Sequence, residues 1–584
     1  MPGKKTPRPE YPRPDFARSD WMNLNGTWDF EFDPDRKGAK EAWFRSRRFP
    51  KKIVVPFPPE SKLSGIGDTD FHRAVWYRRT FTIPKNWARK RVLLHFGAVD
   101  YRATVWVNGS EVGTHQGGYT PFVFDITGQL GRKNTLVVRA EDHTPSGEQP
   151  RGKQCPELKS RGCLYTRVTG IWQTVWIEAA GMSYMKSLTA IPHLPDERVT
   201  LTVAIEHPPI EGSVRAEVKD GSRTVGAVEA PIRKGKAAID VAIPGPKPWQ
   251  PGRPHLYDVK LTLLDDGKPV DTVKSYFGMR NVRVEGERIY LNGKPIYLRQ
   301  VLDQGYYPDG IYTAATDAAL KKDIQISMEM GFNGARLHQK VFEPRFLYHA
   351  DRMGYLCWGE MGDWGLDLTR EQARENFRKE WIEVVERDRN HPCLITWTPF
   401  NERGGPFHSD YTQQQFVVDI VRLTKSLDPT RPVCDNSGWV HTLSDICDVH
   451  DYSMPAALEE RWSGFQNGAE PAPPKQPMFA KGYHYTGQPV VLSEIGGIWL
   501  DLKANFGEGG WGYGERPGSE KEFLARYKGT IQACLSKGRL SGFCYTQLYD
   551  VEQEVNGLYT YTRRAKVSKD KIKRINAAKA AMER

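Results

Sequence analysis

Between Trp21 and Gly181 apolar and polar residues alternate in short stretches separated by turns: "GTWDFEF", "VWYRRTFTI", "RVLLHFG", "YRATVWVNG", "NTLVVRA" and "WQTVWIEA". A period of two marks half-buried strands, and no long helical period intervenes. Residues 1–182 are therefore predicted to form an all-β, jelly-roll-like sandwich. The alternation continues in plainer composition from Met182 to Arg280, in "RVTLTVAIEH", "SVRAEVKD", "AAIDVAIP" and "HLYDVKLTLLD". About seven strands over about a hundred residues is the immunoglobulin-like count, which assigns 183–282 to a second sandwich.

Beyond "NVRVEGERIYLNGKPIYLRQV" the period switches. "TDAALKKDIQISMEMG" has helical spacing with a Thr/Asp start and a Gly stop, and the strand "FNGARLHQ" follows it. The alternation repeats through "YLCWGEM", "CLITWTPFN", "RPVCDNS", "ICDVHDYS", "PVVLSEIGG" and "LSGFCYTQLYD". With "PIYLRQV" this predicts eight strands and a (β/α)8 TIM barrel over 283–584.

Composition adds little to this picture. A chain of 584 residues is too long for one core, and 39% hydrophobic with 26% charged residues is that of ordinary folded domains. The formal charge of +12 raises the question of nucleic acid, but the basic residues are scattered outside the Pro-rich amino terminus. Nucleic acid and membrane are therefore not expected as partners, and a homo-oligomer is left open. The eight Cys form no Cys-x-x-Cys pair and no zinc spacing with His, which predicts reduced core cysteines. The amino terminus does not resemble a signal peptide, so the expected location is the cytoplasm unless a leader preceded residue 1.

Barrel enzymes place their chemistry where strands end at the carboxyl face. In strand order those ends are Asp303 and Gln304; Arg336 and His338; Trp358 and Glu360; Asn401 and Glu402; Asn436; His450 and Tyr452; Glu494; and Thr546 with Gln547. Glu402 and Glu494 close the fourth and seventh strands, on opposite sides of the barrel. Glycoside hydrolysis needs such a pair, one acid to protonate the leaving oxygen and one carboxylate to meet the anomeric carbon or activate water. Arg336 is expected to keep Glu494 ionised, and a less solvated Glu402 to hold its proton. The plainer reading, two rim acids paired with surface bases, does not explain Asn, Tyr, His, Arg and Trp gathered at the neighbouring strand ends.

The motifs "LNGTWDF", "VDYRATVWVNGSEVGTHQGGYTPFVFDIT", "TGIWQTVWIE", "FGMRNV", "LNGKPIYLRQV", "GFNGARLHQ", "RDRNHPCLITWTPFNE", "DVHDY", "VLSEIGG" and "DVEQEVNGLYT" occur in order from about Trp21 to Arg563. Together they resemble glycoside hydrolase family 2, the family of β-galactosidases, β-glucuronidases and β-mannosidases. The resemblance implies Glu402 as acid/base, Glu494 as nucleophile and Asn401 as partner of the sugar 2-hydroxyl. It further implies that Tyr452 orients the nucleophile with Arg336 behind it. Asp303, His338, His450, Trp358 and Gln547 are expected to line the substrate, with Tyr545, Tyr549 and Trp499 or Trp511 as a platform. It implies a retaining mechanism, with the carboxyl groups about 5–5.5 Å apart.

Departures from the family pattern concern the substrate. The Glu-x-His-Gly element of metal-dependent galactosidases has no counterpart near "GEMGDWGLD", so neither a catalytic metal nor another cofactor is expected. The Asn-x-Lys carboxylate reader of the glucuronidases is not visible after Glu494. Long loops at 303–316 and 453–487 favour an exo-acting pocket, and "NFGEGGWGYGERPG" is expected to lie over it as a mobile loop. The expected substrate is an oligosaccharide or glycoside, a β-D-galactoside first, with a β-glucuronide, β-galacturonide or α-L-arabinoside as alternatives. A carbohydrate-binding protein that has lost catalysis competes with these readings.

Overall fold

The computed structural model describes residues 6–45, 47–501 and 510–584. The first sandwich packs a four-stranded sheet (Trp21–Asn23, Val175–Ala180, Arg91–Phe96, Phe122–Asp125) on a six-stranded one running from Lys51–Val55 to Ser110–Gln116. Phe30, Tyr77, Phe96 and Val138 fill the space between them. Each apolar side chain removed from water there contributes about 1.5–3 kcal/mol. The second sandwich has seven strands, three against four. In Arg198–Glu206 the buried positions alternate without exception, as the sequence period requires.

The barrel strands are β1 (Leu298–Asp303), β2 (Gly334–Leu337), β3 (Leu356–Glu360), β4 (Leu394–Thr398), β5 (Asn436–Ser437), β6 (Cys447–Asp451), β7 (Val490–Gly496) and β8 (Leu540–Thr546). Seven form one parallel sheet in the order β4-β3-β2-β1-β8-β7-β6. Helices alternate with them: α1 (Asp317–Glu329), α2 (Pro344–Met353), α3 (Glu371–Asp388), α4 (Tyr411–Leu427), α5 (Pro455–Gln466), α6 (Glu520–Leu535) and α7 (Lys569–Asn576). Their starts follow the sequence signals. Thr316, Asp410 and Ser519 each accept a backbone N–H from the first turn of α1, α4 and α6.

The fifth strand departs from expectation. "RPVCDNS" supplies only Asn436–Ser437, which pairs with Phe400–Asn401 beyond the break at Pro399. Side chains take the groups a longer ladder would use: the Val433 amide donates to Asp445, the Asp435 amide to Ser444, and Asp435 itself accepts from Thr442. The expected loop 453–487 contains α5, whose Pro455 start was not recognised as a helix opening. Residues 505–509 of the expected pocket loop lie outside the described residues. Its remainder is tied down, with the Tyr513 amide donating to the Gly497 carbonyl at 2.7 Å. All eight cysteines are free, and all but Cys163 are buried. No helix among the described residues is long and apolar enough to cross a membrane.

Candidate active site

Arg336, at the end of β2, is completely buried and organises the barrel mouth. Its Nε donates to Glu360 at 2.7 Å, one terminal nitrogen to Glu494 Oε1 at 2.9 Å, and the other to Asn401 Oδ1 at 2.5 Å. A planar guanidinium with five donors suits this task, because each of its three nitrogens meets an acceptor from a different strand end. Glu494 Oε2 accepts from the Tyr452 hydroxyl at 2.5 Å. Both oxygens of Glu494 are thus held. Burial pushes its carboxyl up, but His450, His338, Arg336 and Lys153 outweigh that and bring it down to about 2. His338 is itself held neutral by burial beside Lys153 and Arg336, so Arg336 and Lys153 supply persistent positive charge to Glu494 at neutral pH.

Glu402 follows the short pairing of Phe400–Asn401 with β5, and its amide donates to the Ser437 carbonyl at 2.9 Å. Its φ of +55° is in the left-handed region, a cost of about 1 kcal/mol or more for a residue with a Cβ. The pairing with β5 holds that conformation and turns the carboxylate over the barrel. Glu402 Oε1 lies 2.8 Å from His450 Nδ1, and His450 Nε2 lies 3.0 Å from the Arg336 guanidinium. Since a guanidinium only donates, Nε2 is the acceptor and Nδ1–H donates to Glu402, a tautomer assigned from the network. Among the described residues Glu402 Oε2 has no hydrogen-bond partner and faces the open side of the site. A Glu402 oxygen, a His450 nitrogen and a Glu494 oxygen lie within 4.8 Å of one another.

Among the described residues that triad is also one of two donor sets close enough to hold a metal. The other, Cys434, His441 and Asp448, is consumed internally: the thiol donates to Asp448 at 3.2 Å, and the two nitrogens of His441 face Asp435 and the Asp448 carbonyl. A cavity of about 1080 Å³ opens elsewhere, among Glu60, Asp309, Glu552 and Arg564, and neither Glu402 nor Glu494 lines it. The carboxylate pair, not the size of that cavity, locates the chemistry.

Family models described as glycosyl hydrolases family 2, sugar binding domain, glycosyl hydrolases family 2, and glycosyl hydrolases family 2, TIM barrel domain, match residues 21–144, 183–280 and 282–495. The chain belongs to glycosyl hydrolase family 2. Among its relatives, a β-glucuronidase of Paenibacillus borealis is 26% identical over 81% of this chain and 82% of its own length. A β-galactosidase of Thermoanaerobacter pseudethanolicus is 26% identical over 74% of this chain and 56% of its own. The solved β-glucuronidase of Lactobacillus rhamnosus superposes over 98% of this chain and 99% of its own, with a TM-score of 0.80 at 20% identity.

Within this family 2 barrel the predicted residues divide. Glu402, Glu494, Asn401, Arg336, His450 and Tyr452 converge, and Asn401 keeps a buried amide nitrogen without a partner beside the pair. His338 joins them below, 3.0 Å from Glu360 but outside hydrogen-bonding alignment. Asp303 is buried and accepts from the Tyr549 hydroxyl and the Gly305 amide. Gln547 is fully buried, with its amide on Asn556 and its carbonyl oxygen unpartnered. Trp358 is fully buried too: it shares the inward face of β3 with Glu360, beside Arg336, and offers no open surface to a sugar.

The expected platform is also different. Thr546 faces inward to the Tyr452 hydroxyl, so alternation turns Tyr545 outward onto Tyr527 of α6. Tyr549 is buried under the Arg563 guanidinium. Trp511 is spent on the Gly162 carbonyl, and Trp499 stays partly exposed without a link to the pair. The half-buried aromatics that do touch the site are Trp364, whose indole donates to the Asn401 carbonyl, Trp439 against His450, and Tyr513, stacked on Tyr452. Glu402 is the more exposed of the two acids, 22% against 7%, which reverses the expectation that it is less solvated.

Lys153, like Trp364 and Trp439, went unrecognised in the sequence. Lys153 comes from the first sandwich, yet its ammonium lies 3.7 Å from the centre of the Trp364 ring. The signal was the 28-residue stretch from Asp142 to Thr169, long for a connection in a compact sandwich.

Proposed function

We propose that the chain is an exo-acting, retaining β-glycosidase whose substrate is a terminal β-D-glucuronide. The observation that carries the reaction type is the pair Glu402 and Glu494, with oxygens inside 4.8 Å at the barrel mouth. So close a pair leaves no room for a water between the Glu494 carboxylate and the anomeric carbon, which favours double displacement over inversion. Glu494, ionised and held at both oxygens, attacks C1 as the C1–O bond to the leaving group breaks, while Glu402 Oε2 gives its proton to the departing oxygen. Water then attacks C1 on the same face, Glu402 takes its proton, and the bond to Glu494 breaks, restoring both carboxyls with retained configuration. The unpartnered Asn401 amide is placed to donate to a sugar 2-hydroxyl, an interaction that strengthens in the transition state.

The sugar is supported by the relatives. Most of those most similar over the length of the chain are named β-glucuronidases, and this moves β-galactoside from first choice to second. A panel of nitrophenyl glycosides tests the reading. The expected result is the highest kcat/KM on β-D-glucuronide with the β-anomer released first by NMR; preference for β-D-galactoside or release of the α-anomer contradicts it.

A further inference from the structure

We infer that Lys153, contributed by the first sandwich and not by the barrel, reads the carboxylate of the substrate; this rests on the uronide reading above. The segment that carries it is built into the barrel mouth. The Arg151 amide donates to the Trp364 carbonyl at 3.1 Å and the Gly152 amide to the Gly362 carbonyl at 2.9 Å, both in the loop after β3. Gly152 has a φ of +57°, and a Cβ there would lie 2.1 Å from the Gln339 carbonyl oxygen, so only glycine allows this approach. On its other side the Lys153 carbonyl accepts from the Tyr165 amide, and Gln154 bonds Asp100. The loop is thus pinned from both domains.

The side chain then crosses to Trp364, whose indole holds the Asn401 carbonyl. Lys153 is 6% exposed, and among the described residues no carboxylate comes within ion-pairing distance of its ammonium. Only the ring face compensates it directly. Burial pulls its pKa down, while Cys163, Glu402, Glu494 and Glu554 more than offset this, so the side chain stays cationic on the Trp364 face. A buried cation short of an anion is costly, and an arriving carboxylate relieves that cost.

The other cations at the mouth are engaged. Arg336 is divided between Glu360 and Glu494, Arg403 lies 2.8 Å from Asp363, Lys566 pairs with Asp550 at 2.6 Å, and Arg563 pairs with Asp323 at 3.0 Å. Lys340 donates to the Gly305 and Tyr312 carbonyls and is pulled down to about 7 by burial. Among the described residues Lys153 is the buried ammonium at the mouth that neither a carboxylate nor a carbonyl holds. The carboxylate reader absent from the barrel sequence is therefore supplied by the neighbouring domain.

The test compares the full-length wild type with Lys153→Met and Lys153→Arg on nitrophenyl β-D-glucuronide and the neutral nitrophenyl β-D-glucoside, which share stereochemistry and leaving group. A hydrogen bond to a charged group contributes about 1.5–3 kcal/mol. Lys153→Met should therefore lose about 10- to 150-fold in kcat/KM on the glucuronide, mainly through KM. On the glucoside it should stay within about threefold of wild type, and Lys153→Arg should recover part of the glucuronide loss. Equal losses on both substrates, or a glucuronide preference that survives in Lys153→Met, overturn the assignment while leaving the substrate reading intact. A wild type faster on the glucoside overturns the substrate reading and this inference with it.

Discussion

Replacing Arg336 by Met removes a permanent cation 2.9 Å from Glu494 Oε1 and keeps an unbranched apolar stem in its place. At about 4 Å between charge centres and an effective dielectric of about 20, the lost attraction is about 4 kcal/mol. On one carboxyl this corresponds to about 3 pH units. The Glu494 carboxyl lies at about 2 in the intact site, so in the variant it should rise to about 5. The nucleophile acts only when ionised. Wild type therefore keeps it competent across the assayable range, whereas the variant should lose activity as pH falls through about 5. The assay is the ratio of variant to wild-type kcat/KM on one nitrophenyl glycoside from pH 4 to 8, which cancels ionisation of the substrate. A ratio that stays level with pH refutes the reasoning. Glu360, with a side chain 0% exposed, also loses its partner, at a cost of about 3–5 kcal/mol. The double variant Arg336→Met/Glu360→Gln removes that unpaired charge and should show the same acid limb with a higher melting temperature.

Other outcomes follow from the same geometry. In Glu402→Ala an activated aryl glycoside should still form the glycosyl-enzyme, and azide should restore turnover with a β-glycosyl azide as product; no rescue and no azide product would remove Glu402 from the acid/base role. Burial raises Glu380 of α3, 0% exposed, to about 8. The folded state then holds a proton that the unfolded chain has lost above about 4.5. Stability should therefore fall as pH rises between those values. Glu380→Gln should melt with a smaller drop between pH 6 and 9 than wild type, and an equal drop contradicts the assignment. Chelation by EDTA should leave activity unchanged, since Glu402, His450 and Glu494 are already engaged with protein partners; loss restored by magnesium or manganese would show a required metal.

The reasons for success and failure in reading the sequence are local. Glu402 and Glu494 were legible because each closes an apolar run, and alternating strands and helices place such ends on one face. β5 was over-read because "RPVCDNS" has strand-like Val and Cys, while its Asp, Asn and Ser compete for backbone partners. Tyr545 was misassigned as a sugar contact because a strand end does not say which face a side chain takes, and Trp358 because the inward face does not say how deeply a side chain is covered. Counting by two from Thr546 settles Tyr545, whereas Trp358 counts inward with Glu360 and is excluded by its burial alone. Lys153 was illegible for a different reason: its place in the site depends on how one domain docks on another, which no period or motif within the sandwich encodes.

The central claim is that Glu494 makes the covalent bond to the sugar. A 2-deoxy-2-fluoro-β-D-glucuronosyl fluoride slows both transition states and, with a good leaving group, accumulates the glycosyl-enzyme. Digestion and mass spectrometry should place one fluoroglycosyl group on the peptide containing "VVLSEIGG", at Glu494, and Glu494→Gln should take up none. Label on Glu402 or on another carboxylate would contradict the account.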